Sequence, residues 1–146
     1  METIATTAKG EAMSIAKQDR IIAAIVRHER AQQEIKSIKA SIAESIAKCP
    51  ISIEAEKDSR LFDEKYRTKT HLWEALNEVV EIDAWGCTRR LNSDEIDEYL
   101  HCSECKHCMH AWELIIKRKS ARQELGSAKR AIRNIGRALL KDEVKP

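Results

Sequence analysis

Ten consecutive residues, His101-Cys102-Ser103-Glu104-Cys105-Lys106-His107-Cys108-Met109-His110, hold three cysteines at Cys-x2-Cys-x2-Cys spacing and three histidines. Thiolate and imidazole are the donors that suit Zn2+, and a Cys-x2-Cys turn lets two sulfurs reach one ion at about 2.3 Å without backbone strain. Cys87 follows Trp85-Gly86 and supplies a fourth ligand if residues 88–101 fold back on themselves. The expected ligand set is therefore Cys87, Cys102, Cys105 and Cys108, with His110 and His101 in reserve for the fourth place. The same run opens an iron–sulfur pattern in which Cys49-Pro50 would be the remote Cys-Pro, but it lacks the adjacent fourth cysteine of the bacterial motif. Zinc ranks ahead of a cluster and ahead of free, reduced thiols in a polar junction.

No other stretch reads as an active site. There is no Gly-rich phosphate loop, no Gly-x-Ser-x-Gly and no His-Glu-x-x-His, and a zinc held by four protein ligands keeps no open position for chemistry. Binding is the expected work, without catalysis. The residues that could carry it lie beyond the cysteines, where Lys117, Arg118, Lys119, Arg122, Lys129, Arg130, Arg133, Arg137 and Lys141 meet a single acid, Glu124. Arg118, Arg122, Lys129, Arg133 and Arg137 follow one another by four- or seven-residue steps, so they line up along a helix. Such a stripe could track a phosphate backbone, meet an acidic protein face or remain solvated. Gly126 and Ala128 sit in the same segment, and each interior glycine costs about 1 kcal/mol of helix propensity, which asks for a packing or binding reason.

Long helices must position these groups. From residue 11 to Cys49 the apolar residues recur in heptads, with Ile21, His28, Ile35, Ile42 and Cys49 at a, Ala24, Ala31, Ile38 and Ser45 at d, and Pro50 as the stop. A second helical pattern covers 53–85 through Leu61, Phe62, Tyr66, Leu72, Trp73, Leu76, Val79, Val80 and Ile82, ends at Gly86, and is expected to centre the core on its aromatic residues. Residues 86–110 form the zinc-binding turn with a short helix, which Asn92 and Glu95 start as a capping box with Leu91 and Ile96 as its hydrophobic staple. A basic C-terminal helix spans 105–140 on the heptad Ala111, Leu114, Arg118, Ala121, Leu125, Ala128, Ile132, Ile135 and Leu139.

Composition agrees. In 146 residues there are 34% charged side chains, 4% aromatic, 4 Gly and 2 Pro, a profile of long helices. The fold class expected is all-α: residues 1–146 as a single helical domain, an elongated helical bundle or coiled-coil-like hairpin of long helices with a structural zinc site at a turn. The heptads close within one chain or between two copies, so a homodimer is the other outcome. The net charge of +2 conceals segregation, since residues 50–104 carry 7 basic and 14 acidic side chains while 105–146 carry 11 and 4. No run of about 18 apolar residues is present and the N-terminus lacks the basic and apolar regions of a signal peptide, so no membrane partner and a cytoplasmic location are expected.

The C-terminal third, with Cys-x2-Cys-x2-Cys followed by Trp112-Glu113-Leu114, Leu125-Gly126-Ser127-Ala128-Lys129-Arg130 and Ile135-Gly136, resembles small proteins of phage and prophage genomes. That resemblance implies an accessory protein that binds and modulates a host protein, a component of antiviral defence or of transcription. The partner surface would then comprise Arg118, Arg122, Gly126, Ala128, Lys129, Arg133 and Arg137; the alternative is a zinc-containing DNA- or RNA-binding regulator using the basic helix. A looser likeness to the DksA/TraR class of RNA polymerase-binding proteins departs at the metal, because those proteins pair two Cys-x2-Cys turns.

Overall fold

Helical periodicity dictates most of this chain, and the computed structural model, which describes residues 2–57 and 70–144, is all-α apart from one short hairpin. The elements are α1 (Glu2–Ala47), α2 (Pro50–Lys57), α3 (His71–Asn77), β1 (Val79–Glu81), β2 (Thr88–Arg90), α4 (Ser93–Ser103) and α5 (Lys106–Val144). Within the chain two compact units form, residues 1–36 with 119–146, and residues 37–118. The long helices α1 and α5 contribute to both.

The first unit pairs α1 with α5 in antiparallel sense. Heptad residues Ala24, Ala31, Ala121 and Ala128 are buried there, while the larger Ile21, Ile35, Leu125, Ile132 and Ile135 are only half-buried. Alanines let two backbones approach closely, but four buried methyl groups contribute only about 3 kcal/mol at about 0.8 kcal/mol each. Polar cross-links set the register. Arg27 pairs with Glu124 and donates to Ser127 Oγ at 2.9 Å, and Lys17 Nζ donates to Asp142 Oδ2 at 3.3 Å. These pairs are exposed, so they select the alignment more than they stabilise it.

The second unit has the thicker core. Ile38 and Ile42 of α1, Leu72 and Ala75 of α3, Ile96 and Leu100 of α4, and Ala111 and Trp112 of α5 are buried around Cys49, Cys105 and Cys108. Leu100, Cys49 and Cys108 are its largest fully buried side chains, so sulfur lies at the centre of this core. α3 packs on α4, and Ser45 Oγ donates to the His107 carbonyl at 2.7 Å, tying α1 to α5.

In place of the single helix expected over 53–85, the described residues form the end of α2, α3 and the first strand and turn of a hairpin. Pro50 does not merely end the first helix: α1 stops at Ala47, and Pro50 takes the first position of α2, where its missing N–H costs nothing. Thr70 opens α3 as its N-cap, its side chain accepting from Trp73 N at 3.1 Å. The β-branched Val79 and Val80 then favour extended backbone and pair with Arg90 and Arg89. Asp83 Oδ1 accepts from Trp85 N at 2.9 Å and Cys87 N at 3.2 Å, and Gly86 takes φ 82°, a left-handed conformation that L side chains avoid. Of the aromatic residues expected to centre the core on this segment, Trp85 is 91% exposed and Trp73 38% exposed, while Leu61, Phe62 and Tyr66 lie outside the described residues.

α4 starts as its sequence dictates. Asn92 Oδ1 accepts from Glu95 N at 2.9 Å, Glu95 Oε1 accepts from Asn92 N at 3.1 Å, and Arg89 adds a guanidinium contact to the same carboxylate at 2.6 Å. The helix ends on Glu104 at φ 56°. That reversal hands the chain directly to α5.

Candidate metal centre

Cys49, His71, Cys105 and Cys108 present their donor atoms within 4.8 Å of one another, close enough to hold one metal ion. Each comes from the start of a helix. Cys49 is the N-cap of α2, since its carbonyl accepts the first helical bond from Ile53 N at 3.0 Å. His71 is the first residue of α3. Cys105 caps α5 in the same way through Met109 N at 3.0 Å, and Cys108 follows three residues later, the N-cap and N3 positions whose side chains converge in a capping box. The productive Cys-x2-Cys is therefore Cys105 to Cys108, built on a helix start.

The distances suit a tetrahedral ion. Two sulfurs bound at about 2.3 Å stand about 3.8 Å apart, and a sulfur and an imidazole nitrogen about 3.6 Å apart. Cys49 Sγ lies 3.8 Å from Cys105 Sγ and 3.3 Å from His71 Nδ1. The sulfurs form no disulfide, a bond of about 2.05 Å, and all the cysteines are free.

Backbone amides left over at the helix starts point at the sulfurs. Burial pushes the Cys49 thiol up, but the N–H groups of His71 and Ile51, with the Cys108 thiol and the His71 ring, outweigh it and bring it down to about 7. Burial pushes Cys108 up to about 12, reinforced by Cys105 and by the charge on Cys49, against the lowering effect of the Leu72 amide. A bound divalent ion would take both as thiolates, and three thiolates with one such ion leave a net charge of about −1 that the converging amides suit.

Of the ligands expected from sequence, Cys105 and Cys108 are brought together and Cys87 and Cys102 are not. Cys87 is exposed on the hairpin, with its N–H committed to Asp83. Cys102 is exposed on the last turn of α4, on the other side of the Glu104 reversal from Cys105. The reserve histidines are exposed as well, His101 standing 4.0 Å from Asp97 and His110 3.9 Å from Glu113. Spacing alone offers Cys49 only as the remote Cys-Pro of a cluster, and it does not single out His71. Pro50 as a helix-opening residue is the signal that makes Cys49 an N-cap; Thr70 is the corresponding signal for His71.

The basic helix is divided by its packing. Ala128 is fully buried in the seam with α1, which corrects its expected place on a partner surface. Arg122, Lys129, Arg133 and Arg137 are exposed, while Arg118 and Gly126 are half-buried. No helix among the described residues is long and apolar enough to cross a membrane. A scan against protein-family models, a search of curated proteins and a search of solved structures each return no match to this chain.

Proposed function

We propose that this chain is a zinc-closed helical binding protein without catalytic activity, in which the metal ties together the starts of α2, α3 and α5. The observation that carries the reading is the Cys49, His71, Cys105, Cys108 group. Three thiolates and one imidazole are a Cys3His set, common in structural zinc sites, and four protein donors leave no position for substrate. Sulfurs spaced for one ion are too close together to surround a multi-iron core, which favours zinc over a cluster. The binding work falls to the helices. On α1, Ile22 and Ile25 are 58% and 55% exposed, with Ile15 and Val26 on the same side, and aliphatic anchors at helical spacing suit a protein partner. In the reading that the phage resemblance implies, that partner is a host protein.

Elemental analysis of the purified chain tests the metal. About one zinc per chain is expected, and its removal by chelator should release the buried Trp112, one turn beyond Cys108, with a change in near-ultraviolet dichroism. Stoichiometric iron, or a chain that keeps its full structure with no metal, contradicts the reading.

A further inference from the structure

The face of α5 turned away from α1 carries a ring of cations around a bare piece of backbone. Ala121 and Ala128 face the seam. Gly126 lies on the other side, and its helical neighbours four before, three after, four after and seven after are Arg122, Lys129, Arg130 and Arg133. All four are exposed, and none enters an ion pair among the described residues. Arg137 and Lys141 continue the face by further steps of four. Of the three acids from residue 119 onward, Glu124 and Asp142 are engaged by Arg27 and Lys17, and Glu143 lies beyond the last cation of the face.

Gly126 has no internal reason to be glycine. A Cβ there would meet only the Nη1 end of the Arg130 side chain at 3.6 Å, and one at Gly136 would meet nothing within 4 Å. Each such glycine costs about 1 kcal/mol against alanine in a helix. A ligand that approaches the backbone itself would offset that cost.

We propose that this face of α5 binds the phosphate backbone of a nucleic-acid duplex, seated over Gly126 and clamped by Arg122, Lys129, Arg130 and Arg133. Charge complementarity selects a polyanion, and the unit that carries the face has 14 Lys and Arg against 8 Asp and Glu. The composition of the face narrows the choice. Leu140 is its one exposed large apolar residue, so it offers neither the apolar stripe that enters a membrane nor the aromatic and aliphatic anchors of a desolvated protein interface. It carries no aromatic ring on which single-stranded bases could stack. From Arg122 to Lys141 the helix runs about 29 Å, the length of roughly eight or nine base pairs. The major groove of B-form DNA admits a helix whereas that of A-form RNA is too narrow, which favours DNA of the two duplexes.

The test uses the full zinc-loaded chain and a labelled 20-base-pair DNA duplex of arbitrary sequence, followed by fluorescence anisotropy across salt concentrations. Four to six neutralised phosphates predict a slope of log K against log salt of about −4 to −5, and removing one phosphate-binding side chain weakens binding about eightfold at roughly 0.1 M salt. Arg130→Ala/Arg133→Ala should therefore bind about sixtyfold more weakly with a slope shallower by about 2. Gly126→Leu should also weaken binding although it raises helix propensity, a combination that loss of folding cannot produce. Tighter binding to DNA than to the RNA duplex, the single strand, anionic vesicles or polyglutamate supports the proposal. Polyglutamate or vesicles bound as tightly as DNA, no binding to the duplex at low salt, or full affinity in both variants would overturn it.

Discussion

Replacing Cys49 by serine separates the metal from everything else this residue does. Cys49 is fully buried, caps α2 and takes the Ile51 amide on its side chain. Serine is among the best N-cap residues, so the helix start survives while the thiolate is lost. Structural zinc sites bind with about 10–16 kcal/mol of apparent free energy, and an even division over four ligands assigns each about 2.5–4 kcal/mol. Cys49→Ser should therefore weaken zinc binding roughly 10²- to 10³-fold. Competition against a chromophoric chelator of known affinity measures the change, with far-ultraviolet dichroism confirming that the helices persist. Cys87→Ser and Cys102→Ser, at exposed positions, should hold zinc as the wild type does. Loss of zinc in either of these with full affinity in Cys49→Ser would refute the reasoning.

Further outcomes rest on the same site and the helices around it. His71→Ala should lower zinc affinity by a comparable factor in the same competition, because it removes the only nitrogen donor of the group. Ala128→Leu places extra carbon in the fully buried seam and should cost about 1–3 kcal/mol in urea unfolding, whereas Gly136→Ala, with open space around its Cβ, should stabilise by about 1 kcal/mol. Acidification should release zinc at least about tenfold more readily per pH unit below neutrality, since the Cys108 thiol, pushed up to about 12 by burial, must lose its proton to bind; isothermal titration in buffers of different ionisation enthalpy counts the protons. Arg89 and the Asn92 amide hold the Glu95 carboxyl below its usual range, so its contribution is complete above that range and is lost as pH falls through the lowered value. The stability difference between wild type and Glu95→Gln should accordingly be present near neutral pH and disappear on acidification through the lowered value, as urea unfolding across pH reads out.

The helices were legible because a helix face is a local repeat. The d positions Ala24, Ala31, Ile38 and Ser45 are buried as the heptad requires, and so are Ala111, Ala121 and Ala128 on α5. The capping box of Asn92 and Glu95 is equally local, four residues carrying both the signal and its hydrogen bonds. Cys105 and Cys108 were legible for the same reason. Cys49 and His71 were not, because they reach the site from 56 and 34 residues before Cys105, and only tertiary packing of α2 and α3 brings them there. Density of cysteine misled in turn. Cys102 shares the motif's spacing, yet the left-handed Glu104 ends α4 between it and Cys105 and leaves it exposed. The hairpin was hidden because Val79, Val80 and Ile82 fit a helix face as well as a strand, and the Asp83 turn that decides between them acts through backbone amides.

The central claim is that one ion is held by three sulfurs and one imidazole drawn from three helix starts. X-ray absorption at the zinc edge of the purified chain reads that shell directly. Three sulfurs at about 2.3 Å and one nitrogen at about 2.0–2.1 Å are expected, with one sulfur fewer in Cys49→Ser and no sulfur lost in Cys87→Ser or Cys102→Ser. Four sulfurs in the wild type, or a sulfur count that falls in Cys87→Ser while Cys49→Ser keeps all three, would contradict it.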